Sequence, residues 1–191
     1  MREKKCKIRT KELIIFAFFA GKQRLDCKKN KKQQKKLLFL FVSIIFIYVM
    51  TKLELYAHLQ PANINNENTG IGSTIYAVKP GDGSAREQAA SCQKVLGGWA
   101  NIAKEYATKR YQSNLINWGM LPLIYKDEPC FENGDYIFIP NIVKAIKTKN
   151  NFINAYIVNK SMKEIQFNLG ELTDDERKII LKGCLINYYK V

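Results

Sequence analysis

From residue 75 onward, short apolar runs alternate with stretches of helical periodicity. Runs of four to eight β-forming residues bounded by Gly, Pro or Asn indicate strands, whereas apolar positions recurring every three or four residues indicate helices. This pattern predicts strands at 75–78, 100–107, 120–124 and 136–139, helices at 85–96, 108–118 and 141–147, a hairpin at 151–158 and 163–169, and a last helix to about Tyr189. Thr173 and Glu176 have the spacing of a capping box and are predicted to open this last helix. Strands and helices mixed in this order predict an α/β domain with a partly parallel sheet.

The loop between the first strand and the first helix carries the strongest candidate chemistry. Gly81 and Gly83, with one residue between them, allow a tight turn with close backbone approach. Ser84 and Glu87 have the spacing of a capping box, so Ser84 is predicted to cap a helix that starts here. Arg86 then falls in the first helical turn, where backbone N–H groups favour anions. The loop suits an anionic substrate, although the same residues would also serve as a simple helix start.

The N-terminal sixty residues have a different pattern, in which apolar bursts interrupt a Lys-rich background. The burst at 13–20 is too short to span a bilayer, whereas 37–50 is continuously apolar or small and reaches about 20 residues when extended to 56. One interpretation is a signal anchor with its lysines on the cytoplasmic side. The other is translation upstream of a true start, with Met50 as one internal start. The predicted division is a basic segment at 1–36, a candidate anchor at 37–56, a linker at 57–74 and the domain at 75–191.

Charge and cysteine content narrow the function classes. The formal charge is +14, but residues 1–60 contribute +11 and residues 61–191 only +3, so the basicity disfavours nucleic-acid binding by the domain. Five scattered cysteines without a C-x-x-C pair indicate buried free thiols rather than disulfides. His58 is the only histidine and lies outside the predicted domain, which excludes a His-based triad or zinc site within it.

Several motifs in order resemble one known family. Residues 81–90 (GDGSAREQAA) resemble the G-x-G-S-S-R-E-H-A-A signature of the swivelling C-terminal domain of the aconitase superfamily, and 114–123 (NLINWGMLPL) resembles its N-L-x-x-x-G-x-L-P-L loop. The Gly134-Asp135 pair before a strand and 179–188 (IILKGCLINY) also fit. The residues of these motifs are most similar to those of a bacterial aconitase-like hydratase. The resemblance implies a swivelling β/β/α domain, truncated at its N-terminal side.

The resemblance also implies roles for the loop. Ser84 matches the catalytic base of the signature, Arg86 the residue that binds a substrate carboxylate, and Gly83 a glycine of the substrate loop. Ala85 stands where the family has a second serine that contacts substrate. Gln88 replaces a histidine, and Lys79-Pro80 replaces Asn-Tyr. These departures leave the substrate within the di- and tricarboxylic acids undefined.

The family's dehydration step uses an iron–sulfur cluster held by three cysteines in other domains. Cys92, Cys130 and Cys184 lack that spacing, so no metal ligand is predicted on this chain and the cluster is expected on a large iron–sulfur subunit or on missing domains. The resemblance therefore implies a hydro-lyase domain or subunit in the cytoplasm that is inactive alone. The alternative is a truncated, inactive remnant or a membrane-tethered binding module of the same fold, single-pass through 37–56.

Overall fold

A computed structural model describes the backbone of residues 12–19 and the full structure of residues 69–190. The strands in these ranges are β1 (Glu12–Phe19), β2 (Thr69–Ala77), β3 (Gly98–Ala103), β4 (Leu121–Ile124), β5 (Tyr136–Ile139), β6 (Phe152–Ile157) and β7 (Lys163–Asn168). The helices are α1 (Arg86–Val95), α2 (Lys109–Asn117), α3 (Ile142–Lys147), α4 (Asp174–Lys182) and α5 (Leu185–Tyr189).

The strands of the described residues close into a barrel in the order β1-β2-β3-β4-β7-β6-β5. The neighbours from β1 to β4 are parallel, whereas β5, β6 and β7 pair antiparallel with each other and with their outer neighbours β1 and β4. The helix α1 crosses from β2 to β3, and α2 crosses from β3 to β4, so the parallel half consists of two consecutive βαβ units. The predicted mixed α/β architecture with a partly parallel sheet is confirmed.

The core is apolar and comes mainly from the inward positions of the strands. Along β2, buried and partly exposed residues alternate, as expected for a strand with one face on the core. Four aromatic rings stack edge to face or tilted in the barrel, with centroid distances of 5.5–5.7 Å, and add directional contacts to the aliphatic packing. These rings belong to Tyr76, Tyr125, Phe131 and Phe167.

Two stretches that the sequence analysis placed before the domain are strands. Residues 69–74, predicted as linker, form the first part of β2, and Glu12–Phe19, predicted as part of the basic segment, pairs with both β2 and β5. Gly72, in the stretch predicted as linker, has a packing role, since a Cβ there would lie 2.5 Å from Cγ of Trp99. Glycine at position 72 therefore makes room for an indole from the neighbouring strand.

The remaining corrections concern a strand, the last helix and the N-terminal segment. The strand predicted at 100–107 runs instead from Gly98 to Ala103, and 104–107 belong to the following loop. The helix predicted from Thr173 to about Tyr189 ends at Lys182, because Gly183 adopts a φ of +89° and α5 starts afresh at Leu185. The capping box predicted at Thr173 and Glu176 is confirmed. Within the described residues no helix is long and apolar enough to cross a membrane. The candidate anchor at 37–56 lies outside the described residues.

A buried carboxylate before β5 makes the stability of the domain pH-dependent. Asp135 accepts hydrogen bonds from the Glu132 amide and the Asn159 side-chain amide, both at 2.7 Å, and contacts Nζ of Lys160 at 3.1 Å. Burial alone would raise the pKa of Asp135, but these donors outweigh it and hold the pKa below the usual value. The carboxylate therefore stabilises the fold above the pKa of the unfolded chain, about 3.9, and this contribution is lost as pH falls through the lower folded value.

We expect Asp135→Asn to destabilise the domain by about 1–3 kcal/mol at neutral pH, because the amide cannot accept from all three donors. Below about pH 4 the difference from the wild type should shrink, since Asp135 of the unfolded wild type is then protonated, and it should vanish once pH falls below the lower pKa of the folded state. Urea unfolding at pH 7, 5 and 3 measures both effects. Asp127→Asn, at an exposed carboxylate, is the matched control and should change stability by less than about 0.5 kcal/mol. Equal losses for the two variants would contradict the role of Asp135.

Candidate functional site

The loops that lead into α1 and α2 form one platform at the carboxyl ends of β2 and β3. Their backbones hydrogen-bond to each other, from Lys104 N to Ala77 O at 3.3 Å, from Glu105 N to Val78 O at 3.0 Å and from Ala107 N to Pro80 O at 3.0 Å. An ion pair between Lys79 and Glu105 at 2.6 Å joins the same loops at the surface. This is the edge at which parallel sheets of α/β proteins bind ligands.

Gly81 is the point at which the α1 loop is held against α2. Its φ of +92° is unfavourable for any residue with a side chain, and a Cβ would lie 2.5 Å from Cβ of Tyr111. Its carbonyl oxygen accepts two hydrogen bonds, from Nε of Arg86 at 2.9 Å and from the hydroxyl of Thr108 at 3.3 Å. The predicted tight turn with close backbone approach is therefore present at Gly81. Gly83 has open space around it and no such φ, so nothing in its surroundings requires glycine there.

Arg86 is the first residue of α1, as predicted, and its guanidinium is oriented by the loop. The hydrogen bond to Gly81 uses Nε, and no hydrogen bond among the described residues uses Nη1 or Nη2. These two nitrogens together form the planar fork that binds a carboxylate through two parallel N–H···O bonds. The side chain is half-buried, so its position is restricted while the fork stays accessible.

Ser84 does not cap the helix, and this part of the sequence prediction is wrong. The N-cap residue of α1 is Ala85, without a side-chain hydrogen bond, and Ala89 N bonds to Ala85 O at 3.0 Å. The turn held between Gly81 and Tyr111 brings the chain into helical geometry one residue later than the S-x-x-E spacing suggests. The exposed hydroxyl of Ser84 is consequently not engaged in capping and is available to a ligand.

Ser84 and Arg86 line an open cavity of about 550 Å³ between the N-terminal turns of α1 and α2. Of the other predicted site residues, Gly83 and Ala85 are exposed in the same loop but do not line the cavity. Three of the lining side chains are cationic and one, that of Glu87, is acidic. The cavity is therefore suited to an anion. Its walls are formed by Ser84, Arg86, Glu87, Lys109, Arg110, Ser113 and Asn114.

The sequence analysis missed the α2 side of this site. Thr108 caps α2 by accepting from Tyr111 N at 3.3 Å and also donates to Gly81, so one hydroxyl ties α2 to the loop that holds Arg86. Beneath the loop, the Tyr111 hydroxyl accepts from Gln93, whose carbonyl accepts from Asn101. Desolvation raises the pKa of Tyr111, which keeps this phenol neutral. The sequence signal for this contact was Thr108 at the start of a helical pattern. Such a threonine predicts a helix cap but does not reveal its second contact, with Gly81.

The cysteines do not assemble a ligand set within the described residues. Cys92 is exposed on α1, contrary to the prediction of buried thiols, and Cys130 and Cys184 are half-buried on separate loops. The Cys130 sulfur lies 3.6 Å from the hydroxyl of Tyr125. No group of three His, Cys, Asp or Glu side chains in the described ranges could hold a metal ion. These residues do not fit an iron–sulfur cluster, and no chemical step is assigned to one on this chain.

Comparison with known proteins places these features in a family. Residues 61–128, which include the candidate loop, match the model of the Aconitase C-terminal domain. The chain is 29% identical over 135 residues to aconitate hydratase A of Rickettsia bellii, covering 66% of this chain and 15% of that protein. It is 30% identical over 112 residues to a putative mitochondrial aconitate hydratase of Emericella nidulans, covering 56% of this chain and 14% of that protein. The aligned part is thus about one seventh of each relative. With the mixed α/β fold and the glycine–serine–arginine loop in place, these matches support a C-terminal domain of the aconitase superfamily in this chain.

Proposed function

We propose that this domain supplies the serine and the arginine of a hydro-lyase site that acts on a di- or tricarboxylic acid. The observation that carries the proposal is that Ser84 and Arg86 line one cavity, with Nε of Arg86 bound to Gly81 and its outer nitrogens left for a ligand. An iron–sulfur cluster carried by a partner protein or by further domains is part of this proposal, and so is a cytoplasmic location of the domain.

In this proposal Arg86 binds and orients a substrate carboxylate through Nη1 and Nη2. During dehydration the Ser84 oxygen takes the proton from the carbon next to that carboxylate, the C–H electron pair forms the double bond, and the hydroxyl of the adjacent carbon leaves as hydroxide. Hydration runs through the same steps in reverse. A serine oxygen acts as a base only if its negative charge is stabilised. The N-terminal turn of α1 and the guanidinium of Arg86 supply the positive field for that charge.

The test is the hydration of aconitate by the full chain combined with a cluster-bearing subunit of the family. We expect Ser84→Ala to lower kcat about 10²- to 10⁴-fold with little change in KM, because the general base is lost. Arg86→Lys should raise KM about tenfold or more, because an ammonium cannot reproduce the bidentate contact. Since Ser84 caps nothing, its substitution should leave the free energy of unfolding within about 0.5 kcal/mol of the wild type.

Ser91→Ala is the matched control, because Ser91 lies on the same helix, outside the cavity, and its hydroxyl only donates to Gln88 O at 3.1 Å. It should leave kcat and KM unchanged. If the Ser84→Ala variant turns over as fast as the wild type, Ser84 is not the base. If the wild type shows no turnover with any cluster-bearing partner, the hydro-lyase proposal is rejected.

A second candidate function is carboxylate binding without turnover, in an inactive domain of the same fold. The observation that favours it is Ala85, which places a methyl group where the family signature has a second serine. Ala85→Ser distinguishes the two candidates. If the chain is a hydro-lyase component, the added hydroxyl should change kcat or KM in the reconstituted reaction. If the domain only binds, neither variant nor wild type should turn over.

A further inference from the structure

Four of the seven residues that line the cavity come from α2. Lys109 and Arg110, the first two residues of α2, are both exposed, and Ser113 and Asn114 follow one turn later on the same face. The α2 wall thus places two cations and two neutral hydrogen-bonding side chains beside the cavity. Arg86 brings a third cation from the other wall.

These three cations form no ion pair within the part of the chain that the structure describes, and the single acidic residue of the cavity, Glu87, leaves an excess of two positive charges there. Six ion pairs join the described residues, and none of them includes Arg86, Lys109 or Arg110. The first turn of α2 contains no acidic residue, in contrast to that of α4, which contains three. Cations at a helix N-terminus oppose the macrodipole, and three like charges around one cavity repel one another. An anion with more than one charged group relieves both effects.

We propose that Lys109 and Arg110 form a second anion subsite, which binds a second carboxylate of the substrate while Arg86 binds the first. The proposal rests on the proposed function and adds to it the residues of this chain that bind the second carboxylate. Ser113, whose hydroxyl donates to Lys109 O at 3.2 Å, and Asn114 also line the cavity, where their side chains can contact a hydroxyl or a third carboxylate. A monocarboxylate uses the Arg86 subsite alone.

The test is calorimetric titration of the full chain with tricarballylate, succinate and propionate at low ionic strength. We expect the double variant Lys109→Gln/Arg110→Gln to weaken tricarballylate about tenfold and to leave propionate within twofold. Lys109→Arg/Arg110→Lys keeps both charges and should retain tricarballylate binding within about threefold. Lys144→Gln/Lys147→Gln removes the same charge from exposed positions of α3 that do not line the cavity, and should have the effect of net charge alone, less than about twofold.

Each outcome decides the proposal. Equal weakening by the α2 and α3 double variants would overturn the subsite, and so would no measurable binding of tricarballylate to the wild type. Inorganic phosphate that competes more strongly than succinate would overturn the assignment to carboxylates. A thermal melt of each variant shows whether it is folded. If Lys109→Gln/Arg110→Gln is unfolded, the comparison of Lys109→Arg/Arg110→Lys with the wild type tests the proposal. The titrations test only the subsite, whereas the turnover of wild type and Ser84→Ala in the reconstituted reaction tests the hydro-lyase proposal. The failure of one can therefore be told from the failure of the other.

Discussion

Gly81→Ala is expected to destabilise the domain by about 3 kcal/mol and to weaken carboxylate binding about tenfold. Its φ of +92° costs about 1–2 kcal/mol with a side chain, and the new methyl would lie 2.5 Å from Cβ and 2.6 Å from Cγ of Tyr111. Those atoms belong to a buried residue and sit next to its backbone, so they cannot rotate away. The displaced carbonyl would no longer hold Nε of Arg86, and the guanidinium would lose its orientation.

The same loop offers the matched control for Gly81. Gly83 has no positive φ, and no atom lies within 4 Å of the position that an added methyl would take, so Gly83→Ala should change the unfolding free energy by less than about 0.5 kcal/mol. Urea unfolding measures stability, and titration with succinate measures binding. If Gly81→Ala matches Gly83→Ala in stability, the contact between the loop and α2 does not hold the site.

Gly119→Ala should destabilise the domain by about 4 kcal/mol or more, because the added methyl meets backbone rather than a side chain. The added Cβ would overlap the carbonyl group of Gly183, which is backbone and has no rotamer to change. The turn after α2 and the turn after α4 approach each other here, and both residues have positive φ, +69° and +89°. Because small domains are stable by only about 5–15 kcal/mol, a large fraction of this variant is expected to be poorly folded.

Gly97→Ala separates backbone strain from overlap in this experiment. Gly97 has a φ of +82° but open space around a Cβ, so its substitution should cost about 1–2 kcal/mol from strain alone. The difference between the two variants in urea unfolding is the cost of forcing the two turns apart. Equal losses would show that Gly119 and Gly183 do not pack as closely as the structure has them.

The two glycines also explain why distant motifs of the sequence belong together. Gly119 lies in the NLINWGMLPL stretch and Gly183 in the IILKGCLINY stretch, which are far apart along the chain. In the fold they make one backbone contact between the ends of α2 and α4. A pattern of residues can mark each turn, but only the packed structure shows that each glycine is required by the other.

Local patterns were sufficient where the information is short-range. The strand Tyr136–Ile139, the hairpin of β6 and β7, the helix α1 and the capping box at Thr173 depend on alternation, turn residues and caps within a few positions. Local patterns gave wrong predictions where a contact between residues distant in sequence determines the structure. The start of β2 has the composition of a glycine-rich linker. Glycine is needed at position 72 because the indole of Trp99, from another strand, fills the space of a side chain there, and neighbouring residues do not reveal this contact.

The candidate site likewise has features that local sequence patterns predict and features that only the packed structure shows. By itself, the sequence predicted the loop of Gly81, Ser84 and Arg86 and its resemblance to the aconitase superfamily, because these follow from residue types at fixed spacing. Only the tertiary structure decided that Ser84 is not a cap and that Lys109 and Arg110 share its cavity. The reason is physical: side chains about 25 residues apart meet only when β2 and β3 pair in parallel and bring the N-terminal turns of α1 and α2 together.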